Sequence, residues 1–181
     1  MASRYALIGL MLAVLPAAQA TETIPAGYHR VAKQTGVPAD WLYAVTLAES
    51  GSRVSQAVRP WPWTLNIAGK GYRYASQDTA CTALHQFMQT THPRRIDVGL
   101  GQINLGWNGQ LFSTPCGALV PYANLQVCAQ LLRHHYDRWH NWPEAVGRYH
   151  HPAGGKPAQR YRQKVLRYRH TLSSTYQKGR S

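Results

Sequence analysis

The sequence predicts one mainly α-helical domain with a small β-hairpin, an α+β arrangement. The chain has 181 residues, a length that suits a single domain. Its composition is globular, because 44% of the residues are hydrophobic and six Trp and eleven Tyr are among them. Apolar residues recur mostly every three or four positions, the spacing of a helix face, and alternate with polar residues in one segment only.

An export signal is predicted before this domain. Arg4 supplies a positive charge, residues 7–16 are apolar, and Ala18-Gln19-Ala20 has the small side chains of a cleavage site. We expect residues 1–20 to be removed. The alternative is an uncleaved anchor, although the apolar stretch is short for a membrane span. No later segment is apolar enough to cross a membrane, so no span is expected after cleavage.

The net charge predicts a polyanionic partner. The formal charge of +13 becomes +12 once Arg4 is removed with the signal. An exported protein meets the cell wall and anionic lipids, so no specific nucleic acid is expected. Basic residues crowd the end of the chain. We therefore divide the exported part into a main domain over residues 21–155 and a basic C-terminal helix or tail over residues 156–181.

Six helices are predicted from apolar spacing and from the Pro and Gly residues near their ends. The second helix follows Pro38, buries one apolar face and stops at Gly51. Ser76 is a predicted N-cap, and Pro93 stops the helix that Ser76 begins. The predicted ranges are 25–34, 38–50, 76–91, 124–140, 143–151 and from 157 onwards.

The β-hairpin is predicted over residues 61–74. Leu65 and Ile67 alternate with polar neighbours, and Gly69-Lys70-Gly71 is typical of a turn. Residues 99–109 contain four glycines and are predicted as a loop beside a short helix.

The three cysteines permit one disulfide in an oxidising compartment. We favour Cys116–Cys128, since this bond would pin a loop to the following helix. The alternative is three buried thiols, including Cys81. No CxxC spacing or His spacing suggests a metal site, so no metal is expected.

Glu49 is the candidate acid catalyst among seven acidic residues. It follows Leu42 by seven positions and Val45 by four, so it projects from the apolar face of its helix. It also lies in the last turn, where the helix dipole disfavours a negative charge. Both effects raise the pKa of a carboxyl group, as a general acid requires. The alternative is a Glu that pairs with an Arg at a helix end.

Two motifs, at residues 48–51 and 99–104, resemble those of the soluble lytic transglycosylases. Ala48-Glu49-Ser50-Gly51 resembles the family's catalytic Glu-Ser motif. Residues 99–104, Gly-Leu-Gly-Gln-Ile-Asn, resemble its Gly-Leu-Met-Gln motif, with Gly101 in place of Met. One such motif is weak evidence, whereas several in order are specific.

Two further motifs follow in the family's order. Asn124-Leu125 before a helix is similar to its Asn-Leu/Ile segment. Residues 145–150, Ala-Val-Gly-Arg-Tyr-His, stand where the family has Ala-Tyr-Asn, with Tyr149 kept and His150 replacing the Asn. The four motifs cover roughly residues 25–149. Residues 61–66, Trp-Pro-Trp-Thr-Leu-Asn, resemble the subgroup that accompanies conjugation, type IV pilus and secretion machinery.

The resemblance implies a lysozyme-like fold and a periplasmic enzyme that cleaves peptidoglycan glycan strands without a cofactor. Glu49 would act alone as acid and base, with the substrate's acetamido group replacing a second carboxylate. It also implies substrate contacts, with capping, core hydrogen bonding or packing as the rival roles, for Ser50, Gln102, Asn104, Tyr149, Trp63 and Tyr74. Components of a conjugation, pilus or secretion complex are the implied partners.

Two other functions stay open. A hydrolytic muramidase would need a second carboxylate, for which Asp97 is the candidate near a motif. A non-catalytic protein that binds peptidoglycan or another polyanion would need only the positive charge.

Overall fold

The computed structural model describes residues 24–178, and the predicted signal peptide lies outside them. The described part is mainly helical with a small antiparallel sheet, as predicted. The elements are α1 Ala26–Thr35, α2 Ala39–Ser50, β1 Gly51–Val54, β2 Ala57–Pro60, β3 Thr64–Ile67, β4 Lys70–Arg73, α3 Gln77–Thr90, β5 Ile96–Val98, β6 Ile103–Asn104, α4 Leu105–Asn108, α5 Pro121–Trp139, α6 Trp142–His150 and α7 Gly155–Lys178, with 3₁₀ turns at Pro93–Arg95, Gly109–Leu111 and Pro115–Leu119.

Helix α2 runs through the centre of the main core. Nine of its twelve residues are buried, because α1, α7 and the β1–β2 hairpin all pack against it. Residues from α5 and α6 complete this core. Helix α2 is therefore packed on nearly every side. Full burial of each Leu or Val side chain contributes about 1.5–3 kcal/mol, so this packing holds the helix in place.

Helix α7 is part of this same core. Tyr161, Val165 and Leu172 are buried in it, and the helix packs against both α2 and α6. Arg169 also donates to Asp40 in the first turn of α2, at 2.6 Å. The basic residues of α7 therefore belong to a helix whose inner face supports α2.

The predicted hairpin over residues 61–74 is confirmed as β3 and β4. Ala68 and Gly69 make its turn with positive φ angles of 54° and 91°. The strand order of this sheet is β4-β3-β5-β6, all antiparallel. A second hairpin, β1–β2, was not predicted, because residues 51–60 show no alternation of apolar and polar side chains.

The ends of the helices follow local signals. Ser76 caps α3, and its side chain accepts a hydrogen bond from the Thr79 amide in a capping box. Gly36 ends α1 in the left-handed conformation that glycine adopts without strain, with φ at 70°. Within residues 24–178, no helix has both the length and the hydropathy needed to cross a bilayer.

The prediction of a Cys116–Cys128 disulfide is wrong. Cys116 is bonded to Cys81, and their Cα atoms are 5.3 Å apart. Cys116 lies in a 3₁₀ turn that packs against α3, the helix that carries Cys81. Cys128 instead faces the main core as a buried free thiol. The disulfide lies beside a second core between the sheet and α3, which consists of Leu65, Ile67, Ala80, Leu84, Ile96, Val98, Leu105, Ala118 and Leu119.

Candidate active site

Glu49 lies at the base of a cleft between the helical part and the sheet. It is the penultimate residue of α2, and its side chain is only 15% exposed. The cleft has a volume of about 770 Å³. Its lining includes Glu49, Asn66, Asp97, Gln102, Ile103, Asn104, Trp107, Asn108, Leu131, His135, Tyr149, His150 and Pro152.

The surroundings of Glu49 keep its carboxyl group protonated to unusually high pH. Burial raises the pKa of Glu49 from 4.5 to about 7. The Tyr161 hydroxyl and the Lys164 charge lower this pKa in part, whereas the Asp97 charge raises it. A carboxyl group with a pKa near neutrality can donate a proton and take it back, as a general acid–base requires.

Helix α7 supplies two neighbours of Glu49 that sequence reasoning missed. Lys164 Nζ donates to the backbone oxygen of Ala48 at 2.5 Å, which fixes a positive charge behind the carboxyl group. The Tyr161 hydroxyl is buried, and within residues 24–178 it has no hydrogen bond of standard geometry. The Glu49 carboxyl is the neighbouring group with which it interacts. Among residues 24–178, the basic groups found beside Glu49 are Lys164 and His150, whereas the alternative considered for this residue was a pairing with an Arg.

Ser50 ties α2 to the loop of residues 99–102 rather than facing the cleft. It is fully buried, and its hydroxyl contacts the backbone oxygens of Leu100 at 2.8 Å and Thr46 at 3.1 Å. Substrate contact and core hydrogen bonding were both considered for Ser50, and the structure shows the hydrogen bonds within the core.

Gly101 is required by the packing of its loop. A Cβ atom there would lie 2.8 Å from Cys128 Cβ and 2.9 Å from the Tyr149 hydroxyl oxygen. Tyr149 donates to the Gly101 oxygen at 2.6 Å, and Asn124 accepts from the Gly101 amide at 2.8 Å. Gly101, which stands where the similar motif has Met, therefore leaves room for the Tyr149 hydroxyl. Tyr149 also lines the cleft.

Gln102 lines the cleft in a strained conformation. Its φ angle is +47°, a region that residues other than glycine seldom adopt. Its Nε2 atom donates to the backbone oxygens of Gly99 at 2.9 Å and Thr64 at 3.2 Å. These bonds join the loop to the start of β3 and hold the side chain beside the cleft.

Asn104 and Asp97 form a pair on the sheet side of the cleft. Asn104 Nδ2 donates to Asp97 Oδ1 at 2.8 Å, and Asn104 Oδ1 accepts from the Gly106 amide at 3.1 Å as the cap of α4. Burial raises the pKa of Asp97, and the Asn104 hydrogen bond opposes this effect. The cleft therefore holds a second carboxyl group besides Glu49.

The hairpin aromatics are not brought to the cleft. Trp63 and Tyr74 pack against the second core, and neither belongs to the cleft lining. Trp107 lies in the cleft instead, 60% exposed, with the Arg94 guanidinium 4.2 Å from its ring centre. A Trp within a glycine-rich loop was the available signal for this residue.

The residues that could hold a metal lie outside the cleft lining. Within residues 24–178, the one group of three potential ligands is Cys81, His85 and Cys116, and the disulfide joins its two sulfur atoms. The cleft itself presents carboxyl, amide, phenol and imidazole groups.

Comparison of the chain with family models, with curated proteins and with solved structures gave no match.

Proposed function

We propose that this protein is a peptidoglycan lytic transglycosylase. The observation that carries the proposal is Glu49, a nearly buried carboxyl group that lines a cleft and whose pKa is raised to about 7. Such a group can protonate a glycosidic oxygen at neutral pH and later accept a proton as a base.

The reaction would run in two steps around one carboxyl group. Glu49 gives its proton to the oxygen between N-acetylmuramic acid and N-acetylglucosamine, and the C1–O bond breaks. The substrate's acetamido oxygen bonds to C1 and stabilises the positive charge. The C6 hydroxyl then attacks C1, the bond from the acetamido oxygen breaks, and the hydroxyl proton returns to Glu49. The product ends in a 1,6-anhydro sugar, and no water is consumed.

The surroundings of Glu49 suit both steps. Burial favours the protonated acid, whereas Tyr161 and Lys164 limit the cost of the carboxylate that forms after proton transfer. The exposed ring of Trp107 offers an apolar face against which a sugar ring can pack, and Asn66 and Asn108 add polar groups nearby.

The cellular setting is proposed from the sequence. The signal-like segment at residues 1–20 and the charge of +12 after its removal suit a periplasmic protein that meets the anionic cell wall. The segment over residues 61–66 supports a role in opening the wall locally for a conjugation, pilus or secretion apparatus.

Asp97 favours a second candidate function, that of a hydrolytic muramidase. Its carboxyl group lines the same cleft as Glu49, from the opposing sheet. A hydrolase uses its second carboxylate as a nucleophile or as a base that activates water. A protein that only binds peptidoglycan would need neither carboxyl group.

The chemical nature of the products tests the proposal. Sacculi are digested with the purified protein in water enriched in heavy oxygen, and the fragments are weighed by mass spectrometry. We expect 1,6-anhydro ends without label, because an intramolecular hydroxyl can act at an effective concentration of about 10⁵ M or more. Labelled reducing ends would identify a hydrolase, and intact sacculi would identify a binding protein.

Replacement of Asp97 separates the two enzymes by a second route. We expect Asp97→Asn to keep its cleavage rate within about tenfold of the wild-type value, since only a two-carboxylate mechanism needs the ionised group. The asparagine oxygen can still accept the Asn104 hydrogen bond. Asp137→Asn, which changes a carboxylate that is 55% exposed, is the control. A collapse of the rate with an unchanged melting temperature would favour the muramidase.

A further inference from the structure

His150 is placed against Glu49 in a defined orientation. It is the last residue of α6, its side chain is half exposed, and it lines the cleft. Its Nδ1 atom lies 4.0 Å from Glu49 Oε1. Its ring stacks on Tyr161 with 4.4 Å between centroids and only 4° between planes. Tyr161 thus stacks on the imidazole, and its hydroxyl also lowers the pKa of the Glu49 carboxyl group.

Charged and titratable groups face this pair from each neighbouring element. Lys164 and Tyr161 approach from α7, and His151 follows His150 in the chain. The other groups that act on Glu49 or are acted on by it are Asp97 of β5, Cys128 of α5 and Tyr149 of α6.

Burial, with the charges of Lys164 and His151, lowers the pKa of His150. The imidazole is therefore mostly neutral at pH 7.

We propose that His150 is a positioning residue for Glu49: the stack on Tyr161 holds the imidazole beside the carboxyl group, and its protonation lowers the pH up to which Glu49 keeps its acid form. This inference rests on the proposed function, because it assigns His150 to the same reaction. It also gives a role to the one position of the fourth motif at which this chain has His rather than the family's Asn.

The sign of the effect follows from the attraction between opposite charges. A protonated imidazole 4.0 Å away stabilises the carboxylate and so makes Glu49 give up its proton at lower pH. The two groups then titrate as a coupled pair, and part of their shared proton resides on His150. An asparagine at this position cannot take that proton.

The test compares pH–rate profiles of the wild type, His150→Asn and His150→Gln on sacculi. We expect the alkaline limb of both variants to move upward by about 0.5 to 1 pH unit, because Glu49 stays protonated to higher pH without its partner. His29→Asn removes an exposed imidazole of α1 and serves as the control, with an unshifted limb.

A titration by NMR gives a readout that does not need activity. The His150 ring signal is assigned by its loss in His150→Asn, and its midpoint is followed in the wild type and in Glu49→Gln. We expect the midpoint to fall in Glu49→Gln, since the carboxylate no longer favours the imidazolium. An unchanged midpoint together with superimposed pH–rate profiles would overturn the inference.

The two proposals fail in different ways. If the wild type releases no glycan fragments, the proposed function is lost, and the NMR midpoints still decide whether Glu49 and His150 are coupled. If the wild type releases anhydro fragments and the His150 variants keep the wild-type limb, only the role of His150 is lost.

Discussion

Replacement of Glu49 by glutamine is expected to lower the rate of glycan-strand cleavage by about 10² to 10⁴. The amide keeps the size and the polar contacts of the side chain, but it can neither donate the proton to the glycosidic oxygen nor accept one from the C6 hydroxyl. The rate of fragment release from sacculi, measured at pH 6 to 7, gives the result. A Glu49→Gln protein with a near-normal rate would remove the basis of the proposed mechanism.

The same variant should be more stable than the wild type at neutral and alkaline pH. The folded-state pKa of Glu49, about 7, lies above its ordinary value of 4.5, so the ionised form destabilises the fold. This cost is absent below pH 4.5, grows as the pH rises to about 7 and then stays constant, reaching at most about 3 kcal/mol. Urea denaturation at pH 4 and pH 8 measures it, so that lost activity is not mistaken for lost folding.

Glu144→Gln is the matched control for Glu49→Gln. Glu144 lies in the first turn of α6 and pairs with Arg148 at 2.7 Å and Arg162 at 3.1 Å, outside the cleft lining. Its neutralisation removes two ion pairs but no group of the proposed chemistry. We therefore expect the rate to persist, with a modest loss of stability.

Local patterns were sufficient to predict the position of Glu49. The spacing from Leu42 and Val45 placed the carboxyl on a buried face, and the stop at Gly51 placed it in the last helical turn. Both features depend only on the 3.6-residue period and on neighbours a few positions away. The β3–β4 hairpin was predictable for the same reason, since a turn and an alternating strand lie together in the chain.

Contacts between distant segments were not predictable in this way. Tyr161 and Lys164 reach Glu49 only because α7 packs on α2, and the apolar stripe of α7 does not indicate which helix it meets. The disulfide shows the same limit, since Cys81 and Cys116 are 35 positions apart and come together through packing of α3 on a 3₁₀ turn. The alternation that predicted the hairpin likewise does not tell whether Trp63 faces the cleft or the second core.

Replacement of Asn124 by alanine is expected to cause the largest loss of stability among single changes near the site. Asn124 is fully buried, and its amide group makes three hydrogen bonds to the backbone. Nδ2 donates to Val98 at 2.9 Å and to Ala118 at 2.8 Å, while Oδ1 accepts from Gly101 at 2.8 Å. The asparagine thus joins β5, a 3₁₀ turn and the loop beside the cleft.

The size of the loss follows from the groups that are left behind. An alanine leaves three buried backbone groups without their partner, and each such group costs about 1 to 3 kcal/mol. We expect the free energy of unfolding to fall by about 3 to 5 kcal/mol, as measured by urea denaturation. Fragment release should fall too, because the Gly99–Gln102 loop loses its anchor to α5.

Asn141→Ala provides the matched comparison, because Asn141 also accepts a backbone hydrogen bond, from Glu144, but does so at the exposed start of α6. Loss of such a helix cap costs about 1 kcal/mol. A second variant, Asn124→Asp, keeps the acceptor for Gly101 but loses both donated bonds and buries an acidic group. It should therefore restore little of the stability that Asn124→Ala loses. If Asn124→Ala is no less stable than Asn141→Ala, the three hydrogen bonds do not hold the loop, and the arrangement of Gly101, Tyr149 and Glu49 must depend on core packing alone.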